Sequence, residues 1–224
     1  MCIRDSHEII NRVTPLATSA ERVKARLDEA QVDRNAVGDE VARLEGRIRD
    51  LRAILDGMRA YTAEPKLTFT TESMTELVTQ AAADVRDART QGASVAIEIR
   101  ATDGSHLEVS RPRILQALTN LLRNAVESYI GREDVAPVVV TVSTTDGHVE
   151  VQVRDAGSGM SSEALVDATA LFVTTKPNGT GVGLPLVVKI VESEHDGRFR
   201  LESAEGRGTT AVMVLPQRSA RGSS

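Results

Sequence analysis

The chain has 224 residues, with 27 lysines and arginines against 32 aspartates and glutamates, so its formal net charge is -5. This length suits one or two domains with a buried core. Because no run of basic residues stands out, the composition argues against a nucleic-acid-binding surface. Cys2 is the only cysteine, which excludes an internal disulfide and a zinc site built from cysteine pairs.

The sequence contains no apolar stretch long enough to span a bilayer and no signal peptide. We therefore expect a cytoplasmic chain, although a full-length parent could carry a membrane anchor. The histidines do not have the spacing of metal ligands; they are His7, His106, His148 and His195.

Apolar residues in the first 64 positions recur in alternating steps of four and three, the pattern of a helix that packs along its length. One run is Ile9, Val13, Leu16, Ala20, Val23 and Leu27, and the other is Val37, Val41, Leu44, Ile48, Leu51, Leu55 and Met58. The stretch 28–36 between them is polar, so residues 1–64 are predicted to form an antiparallel helical hairpin. Since each apolar seam needs more than one partner helix, we expect a homodimer with a four-helix bundle.

Residues 65–216 have the alternating strands and helices of an α+β fold, with helices on one face of a mixed sheet. Helices are expected at 73–92, 113–129 and 183–194, and strands at 95–99, 138–142, 149–153, 199–203 and 210–215. A capping box from Ser73 to Glu76 opens the first helix, and the Asp146-Gly147 turn predicts a hairpin. Residues 217–224 are small and polar and are expected to be a disordered tail.

A glycine-rich loop precedes the last predicted helix, with the sequence Gly179-Thr-Gly181-Val-Gly183. It matches neither a dinucleotide fingerprint nor a Walker loop. By itself it fits a plain turn about as well as a binding loop. The exposed amides of a helix N-terminus attract phosphate oxygens, however, and Lys176 adds a positive charge to the same loop. These features favour a phosphate-binding loop.

Two further motifs are polar. Asp155-Ala-Gly157-Ser-Gly159 follows a predicted strand, where a carboxylate can accept from an amino group and glycines let a flat ring approach the backbone; a simple turn would use the same residues. Asn120 and Asn124 share one helix face. Amide oxygens together with phosphates suit Mg²⁺, although two isolated helical asparagines are more often surface residues.

The motifs together resemble the boxes of sensor histidine kinases. Asn120-Leu-Leu-Arg-Asn124-Ala is similar to the N box, Asp155-x-Gly-x-Gly159 to the G1 box, Phe172 with Thr174-Thr-Lys176 to the F box, and Gly179-Thr-Gly-Val-Gly183-Leu to the G2 box. Gly206-Arg-Gly208-Thr209-Thr210 resembles the closing Gly-Thr element of that family. The resemblance covers most of the region from Leu67 to Pro216.

This resemblance implies the ATP-binding α/β sandwich that histidine kinases share with gyrase, Hsp90 and MutL. It implies that Asp155 contacts the adenine amino group, that Thr209 lies near the adenine, that Asn124 binds Mg²⁺ and that Asn120 lies near the metal and phosphates. The family's ATP-binding elements carry over to Gly157, Gly159, Thr174, Thr175, Lys176, Gly179, Gly181 and Gly183. Of these, Lys176 and the amides from Gly179 to Gly183 are implied to hold phosphates under a flexible lid. The lid is short, as in the nitrogen- and C4-dicarboxylate-sensing subgroup. The family's aromatic residue near the end of the N-box helix is matched only loosely, by Tyr129.

The N-terminal sequence Ser6-His7-Glu8-Ile9-Ile10-Asn11 resembles the H box of the same family. In the heptad register His7 and Asn11 fall on the exposed side of the first helix. The resemblance implies that His7 accepts the γ-phosphoryl group of ATP, that Glu8 assists proton transfer, and that Asn11 positions water for a phosphatase reaction. It also implies that an aspartate of a response regulator receives the phosphoryl group.

Two alternatives remain open at this stage. One is an ATPase of the same fold without histidine transfer, such as a protein-serine kinase. The other is an inactive dimerisation and ATP-binding fragment, because only six residues precede His7 and the start is expected to be truncated.

Overall fold

The computed structural model describes residues 18, 20–23, 27, 34–87, 95–102, 104–132, 134–174, 176 and 179–218. By their contacts they divide into two units. The first contains helix α1 (Arg34–Thr62) and the segment Leu171–Val182. The second contains Ala63–Ala170 and the chain from Gly183 onward. None of the helices described is both long and apolar enough to cross a membrane.

Helix α1 is the second helix of the predicted hairpin, and it begins at Arg34, within the stretch expected to be a connection. Of the predicted first helix, the described residues 18, 20–23 and 27 are helical. The rest of that helix lies outside the described residues. The hairpin and its dimer bundle therefore stay predictions.

An apolar cluster joins α1 to the segment Leu171–Val182 within the first unit. Ile54, Phe172 and Val182 are buried together, and Met58, Tyr61 and Leu171 pack against them. The sequence analysis assigned this segment to the ATP-binding domain alone. By its contacts the segment belongs with α1, because Phe172 and Val182 bury their side chains against that helix.

The second unit contains the remaining elements. Its strands are β1 (Thr70–Ser73), β2 (Ile97–Ala101), β3 (His106–Val109), β4 (Val138–Thr145), β5 (His148–Arg154), β6 (Arg198–Ala204) and β7 (Gly208–Pro216). Its helices are α2 (Met74–Asp87), α3 (Arg111–Glu127), α4 (Ser162–Asp167) and α5 (Gly183–Val188), and α5 continues as a π-helical segment, Lys189–Glu194.

Among the described residues, five strands form the main sheet in the order β2-β4-β5-β7-β6, and β1 pairs with β3 in a small second sheet. Strands β2 and β4 are parallel, whereas the other neighbours are antiparallel. Asp146 and Gly147, at the turn between β4 and β5, have φ angles of 48° and 76°. Two positive φ values define the type I′ turn that the Asp-Gly pair predicted.

One face of the main sheet forms the core. Alternate residues of β4 and β5 are buried, and they meet the apolar side of helices α2 and α3. Buried members of this core include Leu77, Ile114, Leu118, Leu122, Val140, Val151 and Met213. This arrangement confirms the predicted α/β sandwich. The expected capping residue Ser73 accepts from the Glu76 N–H at 3.4 Å.

Three short elements, β1, β3 and α4, were not predicted from the sequence, and the position of Gln217 also differs from the prediction. Gln217, expected to begin a disordered tail, is part of the fold. Its backbone N–H donates to Gly147 O and its carbonyl accepts from Glu108 N–H, while its side-chain amide donates to Gly104 O and His106 O. These bonds link the small sheet to the β4–β5 turn, so an expected tail can begin only after Gln217.

His195 is a buried histidine that holds the end of the π-helical segment against the start of α3. Its Nδ1–H donates to Ile190 O at 2.7 Å, and its Nε2 accepts from the Ser110 N–H at 3.0 Å. Both bonds require the neutral ring with the proton on Nδ1. Burial lowers the pKa of His195 below its usual value of 6.5, despite the Ile190 bond and the nearby Glu194 carboxylate, which raise it.

This histidine makes stability depend on pH. Because the folded state has the lower pKa, the unfolded state binds more protons below about pH 6.5. The contribution of His195 to the free energy of unfolding is therefore complete above that pH and is lost as the pH falls through the folded pKa. Urea titrations from pH 7.5 downward should show this loss in the wild type and a flatter profile in His195→Gln. The exposed His148 is the control, since His148→Gln should keep the wild-type slope.

Candidate functional site

Asp155 is the centre of the polar site in the second unit. It directly follows β5 and is only 6% exposed. Its Oδ1 accepts three hydrogen bonds, from Gly157 N–H at 2.9 Å, Ser128 Oγ–H at 3.0 Å and Thr209 N–H at 3.2 Å. In addition, the Asp155 N–H donates to Thr209 O at 2.9 Å. The carboxylate is therefore held in one orientation by groups from three parts of the chain.

The glycines around Asp155 allow close backbone approach. A Cβ on Gly157 would lie 1.9 Å from Ser128 Oγ, and a Cβ on Gly208, which has a φ of 85°, would lie 2.1 Å from Asp155 O. Gly159 also has a positive φ of 63°, and a Cβ there would lie 2.0 Å from Ala204 O. Any side chain at these positions would displace the loop. The loop from Asp155 to Gly159 is thus tightly packed against β6, β7 and the end of α3.

Two residues that the motif analysis did not assign to the site shape this loop. Besides its bond to Asp155, Ser128 accepts from the Ser158 N–H at its carbonyl, at 3.1 Å. The Tyr129 hydroxyl accepts from the Ala156 N–H at 2.7 Å. Tyr129 is only 1% exposed, so its ring is part of the core. Hydroxyl residues directly after an apolar helix were the available sequence signal.

The asparagine pair forms a second group in the same unit. Asn120 and Asn124 lie one turn apart on α3 and are half-buried. A Cβ on Gly183 would lie 3.9 Å from both Asn120 Cγ and Asn124 Nδ2. The two amides therefore lie beside the first residue of α5. Among the described residues, no three His, Cys, Asp or Glu side chains are grouped as a metal site.

The predicted lid residues lie in the first unit. Thr174 Oγ1 accepts from Lys176 N–H at 3.1 Å, and Gly179 N–H donates to Lys176 O at 3.1 Å, so the loop is folded on itself. Gly181 has a φ of 66° and its carbonyl accepts from Phe172 N–H at 2.8 Å. His7, Glu8, Asn11 and Thr175 lie outside the described residues.

The site residues therefore fall into three groups. One surrounds Asp155, with Gly157, Gly159 and Thr209. The second brings Asn120 and Asn124 to Gly183. The third is the loop that carries Thr174, Lys176, Gly179 and Gly181. Helix α3 carries the asparagines, and Ser128, which contacts Asp155, directly follows it. A single helix therefore connects the first two groups.

Part of the chain matches a known protein family, and most of it is similar to two curated proteins. Residues 109–219 match the family described as histidine kinase-, DNA gyrase B-, and HSP90-like ATPase. Sporulation kinase C of Bacillus subtilis is 28% identical over 219 residues, which are 96% of this chain and 48% of that protein. The nitrogen regulation protein NtrY of Azorhizobium caulinodans is 29% identical over 221 residues, which are 95% of this chain and 28% of NtrY.

A solved structure is similar over nearly the whole chain. It is histidine kinase ThkA in complex with the response regulator protein TrrA, with a TM-score of 0.70, 25% identity, and coverage of 96% of this chain and 60% of the other. This chain spans 48% of sporulation kinase C and 28% of NtrY, so it matches only part of each of these two relatives.

The Asp155 site and four of the five strands of the main sheet, β4 to β7, lie within residues 109–219, which match the family described as histidine kinase-, DNA gyrase B-, and HSP90-like ATPase. Over 91% of its length the chain is also 29% identical to a protein of Rickettsia felis described as a putative sensor histidine kinase NtrY-like.

Proposed function

We propose that this chain is the catalytic core of a two-component sensor histidine kinase. It binds ATP, transfers the γ-phosphoryl group to His7, and passes that group to an aspartate of a response regulator. The observation that carries the proposal is the Asp155 carboxylate, which three donors orient at the end of β5 in a family of ATP-binding domains.

Nucleobase binding is assigned to the Asp155 group. An ionised carboxylate only accepts hydrogen bonds, so Asp155 pairs with the amino group of adenine. Gly157 and Gly159 let the loop pack closely against Ser128 and Ala204, which fixes the backbone beside the carboxylate. Thr209, whose amide donates to Asp155, lies next to the base. A base without the amino group offers this buried carboxylate no donor, so it should bind more weakly than adenine.

Phosphate binding is assigned to the asparagine group and the glycine loop. Gly183, at the start of α5, and the amides of Gly179 and Gly181 are donors for phosphate oxygens. Lys176, Thr174 and Thr175 add a charge and hydroxyls from the loop. Asn124, with Asn120 beside it, offers the hard oxygen ligands that Mg²⁺ prefers, and a bound Mg²⁺ would neutralise phosphate charge.

The transfer itself is a displacement at phosphorus. A neutral His7 nitrogen forms the new N–P bond, the bond from phosphorus to the β,γ-bridging oxygen breaks, and ADP leaves with that electron pair. Glu8 accepts or orients the proton on the other ring nitrogen. The phosphohistidine then donates to a carboxylate oxygen of the receiver aspartate. Asn11 positions water in the reverse, phosphatase direction.

The proposal includes a homodimer. Helix α1 leaves Val41, Ile48 and Leu55 37%, 39% and 49% exposed, and these residues are seven positions apart. A regular apolar stripe of this kind supports pairing with a second chain. Light scattering tests it: a mass of two chains supports the bundle, and the mass of one chain at micromolar concentration contradicts it. A cytoplasmic location, where ATP and receiver domains meet, completes the proposal.

The enzymatic proposal is tested with radiolabelled ATP and Mg²⁺. We expect γ-labelled ATP to leave label on the protein, whereas α-labelled ATP leaves none, because only the terminal phosphoryl group is transferred. Binding of ATP without any label, even when an intact partner subunit is added, would contradict kinase activity and favour an inactive fragment. Hydrolysis of ATP without label would favour the simple ATPase.

A further inference from the structure

The serine that follows helix α3 contacts the carboxylate proposed to read adenine. Ser128 Oγ lies 3.0 Å from Asp155 Oδ1 and 2.7 Å from Ala125 O. A hydroxyl has one proton to donate, and an ionised carboxylate forms stronger hydrogen bonds than a neutral carbonyl does. The proton of Ser128 is therefore best used on Asp155.

The three donors to Asp155 Oδ1 differ in kind. Gly157 and Thr209 donate from their backbone N–H groups, so neither bond uses a side-chain donor. Ser128 donates from its side chain. Residue 128 is thus the position at which sequence can change the number of donors that hold this oxygen.

Ser128 is also closely packed against the loop. A Cβ on Gly157 would lie 1.9 Å from Ser128 Oγ and 2.4 Å from Ser128 Cβ. The Ser128 carbonyl accepts from the Ser158 N–H on the far side of the same turn. The hydroxyl is consequently fixed by its surroundings, and removing it leaves the neighbouring backbone bonds in place.

We propose that Ser128 is a positioning residue for nucleobase selection. Its hydroxyl fixes the rotation of the Asp155 carboxylate, so that the carboxylate is aligned to accept from the 6-amino group of a purine. A 6-oxo purine places its carbonyl oxygen, which is itself an acceptor, against the Asp155 carboxylate. A purine without a 6-substituent offers the carboxylate no donor. This role rests on the proposed ATP-binding function and extends it to a residue outside the glycine and asparagine motifs.

The test compares two nucleotides on two proteins. Dissociation constants are measured with Mg²⁺ for ATP and for purine riboside triphosphate, which lacks the 6-amino group, using the whole chain and Ser128→Ala. We expect the variant to bind ATP about five- to tenfold more weakly, which is the effect of one ordinary hydrogen bond. Binding of the analogue should change less than about twofold, so the preference for ATP falls by nearly the same factor.

If Ser128 had a purely structural role, Ser128→Ala would weaken the binding of both nucleotides equally. An unchanged preference for ATP in this variant would therefore overturn the proposal. Ser128→Cys keeps a weak donor of similar size and should give an intermediate preference. Ser161→Ala is the matched control, because Ser161 caps α4 by accepting from Ala164 N–H. If the wild type binds no ATP, the proposed function itself fails; if it prefers ATP and Ser128→Ala keeps that preference, only the role of Ser128 fails.

Discussion

Replacement of Asp155 by asparagine is expected to weaken ATP binding by about 100-fold or more and to abolish labelling by γ-labelled ATP. Three donors converge on Oδ1, so the new side chain keeps its amide oxygen there. Its NH₂ group then faces the amino group of adenine, donor against donor. The loss exceeds that of one hydrogen bond, because two donors are left buried and opposed. Calorimetric titration with ATP measures the effect.

The control for this variant is Asp167→Asn, at the exposed end of α4. It removes the same charge and should bind ATP as the wild type does. Thermal unfolding of Asp155→Asn should stay close to wild type, since an amide oxygen still accepts from the same three donors. An Asp155→Asn protein that binds ATP within about threefold of wild type would refute the assignment of Asp155 to the base.

Replacement of Glu194 by glutamine is expected to lower the free energy of unfolding by about 3 to 5 kcal/mol. Glu194 and Arg113 form a buried pair in which Arg113 Nε donates to Glu194 Oε2 at 2.7 Å and Nη2 donates to Oε1. Both side chains are about nine-tenths buried. Neutralising the carboxylate leaves the Arg113 charge buried without compensation, and one amide N–H₂ faces a guanidinium donor. Urea titration at pH 7 measures the loss.

The exposed pair of Arg100 with Glu98 provides the comparison. Glu98→Gln should change the free energy of unfolding by less than about 1 kcal/mol, because solvent screens a surface pair. The double variant Arg113→Met with Glu194→Leu should recover most of the stability lost in Glu194→Gln, since it removes both charges. Equal effects of the two glutamine variants would show that the buried pair does not stabilise the unit.

The sandwich could be predicted because its signals are local. Valines at every second position define β4 and β5, and the Asp146-Gly147 turn joins them in a fixed register. The position of Asp155 after β5 and that of the asparagines one turn apart on α3 could be predicted, because both follow from the local periodicity of these elements. Strands β1 and β3 were not, since each is four residues long and is defined by its pairing with the other.

The parts that escaped prediction depend on contacts between residues far apart in the chain. Ser128 meets Asp155 across 27 positions, and Arg113 meets Glu194 across 81. No local period reports such pairs. The packing of Phe172 on Ile54 likewise joins the segment Leu171–Val182 to α1, a contact that its sequence motif did not indicate. In each case a side chain makes its contact only once elements far apart in the chain have packed together.

The central claim is that phosphoryl transfer ends on His7, and the chemical stability of the protein-bound label tests it most directly. After incubation with γ-labelled ATP and Mg²⁺, the wild type should carry a label that is lost in acid and kept in base, as a phosphorus–nitrogen bond is. His7→Gln should carry none, and His106→Gln, at an exposed position in β3, should label as the wild type does. A label that resists acid, or one that survives His7→Gln, would contradict the histidine kinase assignment.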